Sequence, residues 1–548
     1  MFGSVVFFVS EQARNMSQKY MMCSSVLDQC IIFVASSILI SAVDMYIESV
    51  AQVMGNFMHF YWMALFAICA LGLWCHQDYG LSWDEPIVLM YGEQIMAYFS
   101  HGDPAFSTAF DRYHGSFPSL WMAGLDGFLS DLPSQERFFW IRRVNFLFFT
   151  LGGWVLAMLA RKTWGNREGL LILFLWILSP RMFAESFYNT KDIPFVSLSL
   201  LCAWTGLRWI EKKTTSSMII HAAAIALLTN TRILGVLVLV YSFLLGVRTK
   251  RDVVIFTLMS ICSFGFLWII WPILWVEGPL GIINAVSHMS HFPWQGTVLY
   301  QGVLMPAQEI PWHYIFVWMG MTIPILYLVL AAIGYQAFLR RKDASLIHIW
   351  MMMSTIVPIV LILVLGSVMY DGWRHLYFTY PGILWFAVLG FRYLEERFQD
   401  WIRYVWMICT ASVLWIGISM VELHPYEMVY FNMLAGDSQT LRSRFELDYW
   451  GLGFRSMLEY ILRNDDREVV SVGVSNISGM YARAILSQED QKRLRFVGKV
   501  EKADYFVTNF RWHPQEYPFP KVFSLMAGDV EIGAVYRISS EQVLPNKR

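Results

Sequence analysis

The segment Gln77-Asp78-Tyr79-Gly80-Leu81-Ser82-Trp83-Asp84-Glu85-Pro86 follows directly on an apolar run of helix length, 57–75. It places three carboxylates, those of Asp78, Asp84 and Glu85, within eight residues. Because a charged side chain is unstable in hydrocarbon, the segment must lie in water or in a polar cavity at the edge of a membrane. The segment therefore predicts a first loop at a membrane surface.

The end of this segment predicts a helix that is too short to span a membrane. Pro86 favours the first turn of a helix, which we place over 87–99, and Asp84 and Glu85 lie near its positive end. An aspartate in that position is often only an N-cap that accepts a backbone hydrogen bond. The alternative is that Asp84 takes part in chemistry, and the segment alone leaves both interpretations open.

The composition predicts a polytopic membrane protein. Of 548 residues, 56% are hydrophobic and only 15% are charged, whereas soluble domains carry about 25% charged residues. The apolar residues recur in runs near the roughly 20 residues that cross a bilayer. The basic residues form short, regularly spaced clusters and no basic domain, so we expect no nucleic acid as a partner. The seven cysteines show no metal-binding spacing.

Eleven apolar runs predict eleven membrane spans after an N-terminal extension, 1–56, whose role the sequence does not assign. The spans are 57–75, 138–160, 168–180, 193–210, 217–229, 233–247, 252–272, 313–338, 347–369, 376–394 and 402–421. Basic clusters fall in every second loop, which is typical of cytoplasmic loops. The other loops, which carry Asp84, Asp192 and Arg374, should therefore lie outside the cytoplasm. An odd number of spans also places the C-terminus outside.

The composition changes after Val421 and predicts a small soluble α/β domain over 422–548, outside the membrane. Alternating apolar residues predict strands within 468–474, 494–500, 504–509 and 530–538, and helices are predicted over 455–463 and 480–486. No glycine-rich nucleotide-binding loop occurs in this part of the sequence. The expected fold is thus an α-helical polytopic membrane domain, 57–421, followed by a small extracytoplasmic α/β domain.

The second extracytoplasmic loop, 179–194, concentrates ionisable and amide side chains. Glu185, Asn189, Lys191 and Asp192 all lie within it, with little room for a free loop between two apolar spans. Asp192 precedes an Ile-Pro pair and could be a simple N-cap. The density of polar groups at a membrane surface favours instead side chains that bind each other or a substrate.

Cations suited to an anionic ligand occur in two further places. Arg374, in the loop 370–381, is a permanent cation whose planar fork matches phosphate oxygens, and His375 beside it can donate a hydrogen bond. Arg232, in a tight turn between two short helices, is a second candidate. The alternative for Arg374 is an interfacial arginine that extends its head group to water among aromatic residues. That alternative leaves Asp371 unexplained.

These motifs, in this order, resemble the GT-C superfamily of membrane glycosyltransferases. They are Ser82-Trp83-Asp84-Glu85 after the first span, the second loop 180–194, the segment 373–382 and the exit of the last span, 424–432. The chain is most similar to bacterial-type members of the protein O-mannosyltransferase and phospholipid-carrier-dependent glycosyltransferase group, over roughly residues 57–455. The resemblance implies a many-span enzyme that takes a sugar from a polyprenyl-phosphate donor at an extracytoplasmic active site.

The resemblance also implies roles for individual residues. Asp84 matches the first-loop acid that helps to activate the acceptor, Glu85 is its neighbour, and Asp192 matches the second-loop acid. Inverting transfer needs a carboxylate that takes the acceptor proton and cations that stabilise the departing lipid phosphate. The predicted catalytic residues are Asp84, Glu85 and Asp192, and the predicted substrate-binding residues are Lys191, Arg232, Arg374, His375, Glu185 and Asn189. No metal ligand and no cofactor are assigned, although a divalent metal is left open.

The expected protein is a multi-pass membrane glycosyltransferase, placed by its resemblance in the bacterial inner membrane. Its partners would be a lipid-linked sugar donor, membrane lipids and an acceptor that is a protein, a lipid or a glycan. The alternative is a transporter or flippase of lipid-linked saccharides, which predicts internal repeats and charged residues within spans. The polar residues here lie mostly at helix ends. A non-catalytic scaffold would leave the clustered acids and cations unexplained.

Overall fold

The structure is a computed structural model and describes residues 57–290, 292–341 and 345–538. The N-terminal extension 1–56 lies outside the described residues. The part up to Leu423 is mostly helical, with one short hairpin. Its helices are α1 (Phe57–Cys75), α2 (Asp84–His101), α3 (Phe117–Phe128), α4 (Ser134–Trp164), α5 (Asn166–Ile177), α6 (Pro180–Tyr188), α7 (Asp192–Lys212), α8 (Thr215–Thr229), α9 (Leu237–Gly246), α10 (Lys250–Ile270), α11 (Ile273–Glu277), α12 (Gly281–Ser290), α13 (Tyr314–Thr322), α14 (Ile325–Leu339), α15 (Leu346–Leu365), α16 (Tyr380–Arg397) and α17 (Ile402–Leu423), and the hairpin consists of β1 (Thr297–Tyr300) and β2 (Val303–Pro306).

Six of these described helices are long and apolar enough to cross a membrane. They are α1, α4, α7, α10, α15 and α17. Two bent pairs, α5 with α6 and α13 with α14, meet the same criteria together and raise the number to eight if each pair is one span. The prediction of a helical polytopic membrane domain is confirmed, whereas the predicted count of eleven spans is not.

Three predicted spans are too short or too charged to meet these criteria, and a fourth is bent. α8 has 15 residues and α9 has 10, against the roughly 20 residues that cross a bilayer. α16 carries four charged residues among its last six. The predicted span 313–338 is interrupted at Pro324, where α13 and α14 meet at 116°, because proline lacks the backbone donor that a continuous helix needs.

The basic loops and the acid-rich loops lie at opposite ends of the helices. α7 begins at Asp192 and ends at Lys212, and a helix of this length is about 32 Å long at about 1.5 Å per residue. Ion pairs join neighbouring helix ends at the basic end: Lys162–Glu211 at 2.6 Å, Lys213–Asp252 at 3.1 Å and Arg392–Glu168 at 2.6 Å. At the other end, Asp84 lies against Lys191. This is the separation of charge that the positive-inside rule predicts.

The C-terminal part forms a small domain of helices and one sheet, as predicted. Its helices are α18 (Leu441–Arg444), α19 (Gly453–Asn464), α20 (Ser478–Tyr481) and α21 (Gln488–Arg493), and its strands are β3 (Val470–Val474), β4 (Leu494–Phe496), β5 (Tyr505–Thr508), β6 (Lys521–Ala527) and β7 (Val530–Arg537). The strand order is β4-β3-β5-β7-β6. β3 is parallel to β4 and β5, whereas β7 is antiparallel to β5 and β6. The sequence analysis missed β6, because in this edge strand only Leu525 and Ala527 are buried.

The C-terminal domain packs directly on the first loop. The backbone amide of Trp83 donates to the carbonyl of Trp450 at 2.9 Å. Gly80 approaches Leu452 so closely that a Cβ on Gly80 would lie 1.9 Å from the Leu452 carbonyl oxygen. The domain therefore helps to fix the loop that carries Asp84.

Candidate active site

The first loop is held by a capping box, and Asp84 is not the cap. The Ser82 hydroxyl accepts a hydrogen bond from the backbone amide of Glu85 at 3.3 Å, and the Glu85 carboxylate accepts one from the amide of Ser82 at 2.7 Å. This reciprocal pair satisfies two amides at the start of α2. The helix consequently begins at Asp84, three residues before the predicted start, and the interpretation of Asp84 as a simple N-cap is wrong.

Glu85 is committed to the fold of this loop. Its side chain is fully buried, and its Oε1 lies 3.3 Å from Nε of Arg142. The Arg142 guanidinium also donates to the carbonyls of Tyr79 and Gly80, at 2.8 and 2.6 Å. Burial raises the pKa of Glu85, although Arg142 and Ser82 oppose that shift. One Glu85 oxygen has its partner in the loop, Ser82, and the other has its partner in α4, Arg142, so the predicted catalytic residue Glu85 holds the loop against α4.

Asp84 faces two cations contributed by other loops. Its Oδ2 lies 3.1 Å from Nζ of Lys191 and 3.6 Å from Nη1 of Arg374. Burial by itself raises the pKa of this carboxyl, but Lys191 and Arg374 outweigh burial and hold the pKa below its usual value. Asp84 is therefore an ionised carboxylate in a largely buried, water-poor site.

Asp192 also forms an ion pair with Arg374. Its Oδ2 lies 3.4 Å from Nη1 of Arg374, and its Oδ1 forms an ion pair with Arg232. The amide side chain of Asn189 donates to Asp192 Oδ2 at 2.9 Å and accepts from the Asp192 backbone amide at 2.9 Å. Asn189 thus serves as the cap at the start of α7, and the interpretation of Asp192 as the cap is wrong.

Asp111 is a further acid of the site that the sequence analysis missed. It lies 3.3 Å from Nδ1 of His114. Burial raises the pKa of Asp111, but His114, Lys191 and Arg232 hold it well below the usual value. The residue follows a short polar turn between α2 and α3, where no motif distinguishes it. Its charge adds a third carboxylate around Lys191 and Arg232.

A fourth carboxylate connects the site to the C-terminal domain. Asp371 lies 3.1 Å from Nη2 of Arg374 through Oδ2 and accepts from Arg511 at 2.7 Å through Oδ1. Asp371 adopts a φ of 56°, a left-handed conformation that aspartate tolerates better than most residues. Arg511 follows β5 and is buried against the site. Arg511 is not predictable from the sequence, since nothing near it in the sequence marks a membrane-facing charge.

Glu185, predicted to bind substrate, is surrounded by protein donors. Its Oε1 accepts from the hydroxyls of Tyr377 and Tyr449, at 2.7 and 3.1 Å, and its Oε2 accepts from the amide of Asn189 at 2.6 Å. The residue is fully buried. Through Asn189, Glu185 supports the position of Asp192.

His375 lies beside the cations and is not itself a cation. Burial, together with the neighbouring charges of Arg374, Arg232 and Lys191, lowers the pKa of His375 well below its usual value. Its Nδ1 is buried and has no hydrogen-bond partner among the described residues. A positive charge on this ring is therefore disfavoured in the free protein, and substrate binding by His375 stays a prediction.

The four carboxylates are balanced by four cations, which retain unused donors. The carboxylates belong to Asp84, Asp111, Asp192 and Asp371, and the cations to Lys191, Arg232, Arg374 and Arg511. The Nε groups of Arg232 and Arg374 are buried and make no hydrogen bond to any described residue. Nε of Arg511 lies 3.9 Å from Oε1 of the buried Glu446. An arginine with an unused donor can add a bond to an incoming anion. The cluster is thus able to receive a phosphate without losing all of its internal ion pairs.

Some residues that line a small apolar cavity are close in sequence to these cations. It is lined by residues of α7, α9 and α15 together with Leu234, Gly235, Phe378 and Pro381. Leu234 lies two residues after Arg232, and Phe378 lies four residues after Arg374.

One part of the chain matches a known protein family. Residues 129–275 match the family model described as dolichyl-phosphate-mannose-protein mannosyltransferase. The predicted resemblance is confirmed. The matched range includes Lys191, Asp192 and Arg232, whereas Asp84 and Arg374 lie outside it. No curated protein matches the chain.

Solved membrane glycosyltransferase structures resemble the chain weakly over most of its length. ArnT from Cupriavidus metallidurans in the apo state is 12% identical, with 89% of this chain and 100% of that chain covered and a TM-score of 0.47. The same protein bound to undecaprenyl phosphate is 14% identical, with 89% of this chain and 99% of that chain covered and a TM-score of 0.47. The Archaeoglobus fulgidus oligosaccharyltransferase with Zn and sulfate is 11% identical, with 82% of this chain and 68% of that chain covered and a TM-score of 0.43. Likeness at this level carries no functional conclusion.

Proposed function

We propose that this protein is a membrane glycosyltransferase that moves a sugar, with inversion, from a polyprenyl-phosphate-linked donor to an acceptor outside the cytoplasm. One observation carries the proposal: Nη1 of Arg374 lies between Asp84 and Asp192, at 3.6 and 3.4 Å, with Lys191 and Arg232 on either side. A carboxylate able to take a proton and cations able to bind a phosphate are thereby within a few ångström of each other.

In the proposed reaction Asp84 is the general base. The acceptor hydroxyl would bind its carboxylate and pass its proton to that oxygen, while the acceptor oxygen forms a bond to the anomeric carbon. The bond from the anomeric carbon to the phosphate oxygen breaks, and its electron pair stays on the lipid phosphate. Attack and departure on opposite faces of the sugar invert the anomeric centre.

The departing phosphate would be stabilised by Lys191, Arg232 and Arg374. Charge-assisted bonds from these cations are strongest in a site that excludes water, and Arg374 is only 4% exposed. The same cations hold the pKa of Asp84 down in the free protein. When the phosphate engages Lys191 and Arg374, their hold on Asp84 weakens and the carboxylate becomes a stronger base. Donor binding would in this way activate the base.

The remaining predicted residues support these roles. Glu85, Glu185 and Asn189 are positioning residues in the proposal, because their polar atoms bind neighbouring protein groups. The basic loops at the opposite helix ends support an extracytoplasmic site, and the cluster at the start of helices is unlike the mid-span charges of a transporter.

The proposal is tested with the detergent-purified full chain and radiolabelled polyprenyl-phosphate sugars, scored by acceptor class. We expect label to move to a protein, lipid or glycan acceptor with release of one polyprenyl phosphate per sugar transferred. Asp131→Asn, a change of an exposed acid in the same loop region, should transfer at the rate of the unchanged protein. Movement of intact donor across a vesicle membrane with no transfer in any acceptor class would instead identify a flippase.

A further inference from the structure

We propose that Cys75, Asp78 and His424 form a binding site for a divalent cation with the preferences of Zn²⁺. Their ligand atoms, the Cys75 sulfur, an Asp78 oxygen and an imidazole nitrogen of His424, all lie within 4.8 Å of one another. It is the one such group of His, Cys, Asp and Glu among the described residues. The inference does not depend on the proposed glycosyl transfer.

The fold, rather than the sequence, brings the three ligands together. Cys75 is the last residue of α1, and the amide of Asp78 donates to the Cys75 carbonyl at 3.0 Å in the turn that follows. This turn places the two side chains on one side of the helix end. His424 comes directly after α17. The sequence shows no metal-binding spacing here because the third ligand is 346 residues from the second.

The donor atoms are those that zinc prefers. Thiolate, imidazole and carboxylate bind Zn²⁺ with bonds of about 2.0 to 2.3 Å, and a tetrahedral arrangement separates the donor atoms by about 3.3 to 3.8 Å. Nε2 of His424 and Oδ2 of Asp78 are already 3.1 Å apart. Shifts of about 1 Å in side chains therefore bring the set to the geometry of the bound metal.

A supporting carboxylate orients the imidazole. Oε1 of Glu427 lies 2.7 Å from Nδ1 of His424, which leaves Nε2 directed at Asp78. Glu427 is itself fixed by the Tyr79 hydroxyl, which donates to both of its oxygens at 3.1 and 3.2 Å. Metal-binding histidines characteristically present one nitrogen to the metal and the other to a carboxylate. This support is an observation separate from the closeness of the three ligands.

The site is open on one side only. The Asp78 side chain is 41% exposed, whereas Cys75 is fully buried. A cation can enter past Asp78 and keep a water as its fourth ligand. A metal-free alternative is a protonated His424 that bridges Asp78 and Glu427. That alternative gives the Cys75 thiol no part, and the experiment below separates the two.

The bound cation would tie the first described span to the last. Asp78 lies six residues before Asp84 in the first loop, and His424 begins the segment that leads into the C-terminal domain. Among the described residues, Cys75, Asp78 and His424 form no hydrogen bond or ion pair with Lys191, Arg374 or Asp192. The role that follows is structural, as a clamp at the base of the first loop.

Cobalt titration of the detergent-purified full chain tests the site, because Co²⁺ bound by a thiolate gives a near-ultraviolet charge-transfer band. We expect that band to saturate at one Co²⁺ per chain and to disappear when Zn²⁺ is added. Cys75→Ser should abolish the band, whereas Cys69→Ser, in the same helix, should keep it. His424→Gln should weaken the Co²⁺ affinity by about tenfold or more.

The absence of a thiolate band in the unchanged protein overturns the proposal, and so does an equal band in Cys75→Ser. If Cys75→Ser fails to give a monodisperse protein, Asp78→Asn takes its place, since Asp78 is an exposed residue whose change leaves the core intact. An unchanged Co²⁺ affinity in Asp78→Asn then contradicts the site. Loss of glycosyl transfer alone leaves this readout untouched, so failure of the proposed function and failure of the metal site are distinguishable.

Discussion

Nη1 of Arg374 lies 3.6 Å from Oδ2 of Asp84 and 3.4 Å from Oδ2 of Asp192. One guanidinium nitrogen thus holds two carboxylates that come from different loops. The rings of Tyr370 and Trp450 lie 5.3 and 4.7 Å from the guanidinium carbon, which keeps the group in place. A planar fork makes these contacts at once, whereas a lysine ammonium is a single point charge.

Replacing this fork by a point charge should impair transfer. We expect Arg374→Lys to lower kcat by about 100-fold, the usual loss when one donor to a developing anion is removed. The change is measured in the purified transfer assay. Arg463→Lys, an exposed arginine of α19, is the matched control and should keep the full rate. An Arg374→Lys protein as active as this control would remove Arg374 from the mechanism.

The pH dependence of transfer should report the cations around Asp84. A base works when it is ionised, so kcat/KM falls as the pH drops through the pKa of Asp84 in the free protein. Lys191 lowers that pKa. Lys191→Gln should therefore raise the pKa and move the acidic limb of the kcat/KM profile upward by about one pH unit.

Lys212→Gln, at the far end of the helix α7 that begins directly after Lys191, is the control for this shift and should leave the acidic limb where it is. A profile of Lys191→Gln that moves to lower pH contradicts the assignment of Asp84 as the base. A fall in rate with no shift of the limb would indicate that Lys191 acts only on the phosphate.

The C-terminal domain should affect turnover through Arg511. Its guanidinium donates to Asp371 at 2.7 Å through Nη2 and to the Tyr449 carbonyl through Nη1, and the single nitrogen of a lysine does not reproduce this fork. We expect Arg511→Lys to lower kcat about tenfold with little change in the KM for the donor. In a double-mutant cycle with Asp371→Asn, contacting residues show a coupling of about 0.5–3 kcal/mol.

The control for this prediction is Arg467→Lys, an arginine of the same domain that pairs with Asp465 and Asp504 away from the first loop. It should leave kcat unchanged. Additive effects of Arg511→Lys and Asp371→Asn would show that Arg511 does not act through Asp371.

The capping box should matter for stability rather than for chemistry alone. Ser82→Ala removes a helix cap and should lower the free energy of unfolding by about 1 kcal/mol. Glu85→Ala also leaves the fully buried Arg142 without its carboxylate, and breaking a buried pair in this way costs about 3–5 kcal/mol. Thermal or chemical unfolding in detergent measures both.

Glu93→Ala, an exposed acid of the same helix, should change the unfolding free energy little. If Glu85→Ala unfolds like Glu93→Ala while transfer is lost, Glu85 belongs with the catalytic residues after all. The expected order of destabilisation is Glu85→Ala, then Ser82→Ala, then Glu93→Ala.

The main residues of the site were predictable because charged residues are rare beside membrane spans and therefore stand out in the sequence. Asp84, Lys191, Asp192, Arg232 and Arg374 each stand next to an apolar run, where an ionised group requires a partner. The structure brings all five into one ion-pair cluster. The resemblance stated from the motifs pointed to the same acids.

Other residues of the cluster could not be found in this way. Asp111 stands among ordinary polar residues of a loop, and Arg511 belongs to a soluble domain where charge is common. Their places depend on tertiary contacts that no local pattern encodes. Ser82 and Glu85 differ, because their spacing is the known signature of a capping box. That pattern was present in the sequence and identifies the helix start without the structure.

The class of the fold was predictable from the sequence, whereas the number of membrane spans was not. Apolar runs mark helices, but a run such as 313–338 does not show that Pro324 turns the chain by 116°. Short helices such as α9 have the composition of a span without its length. The edge strand β6 buries only two of its seven residues. In each case the length or direction of an element is set by its packing rather than by its own residues.

The central claim is that Asp84 takes the acceptor proton while the cations hold the lipid phosphate. Sugar transfer by purified Asp84→Asn, beside Asp131→Asn and the unchanged protein, tests it most directly. We predict that Asp84→Asn still binds the polyprenyl-phosphate sugar but transfers at least about 100-fold more slowly, with Asp131→Asn unaffected. Transfer by Asp84→Asn at the rate of Asp131→Asn would contradict the account.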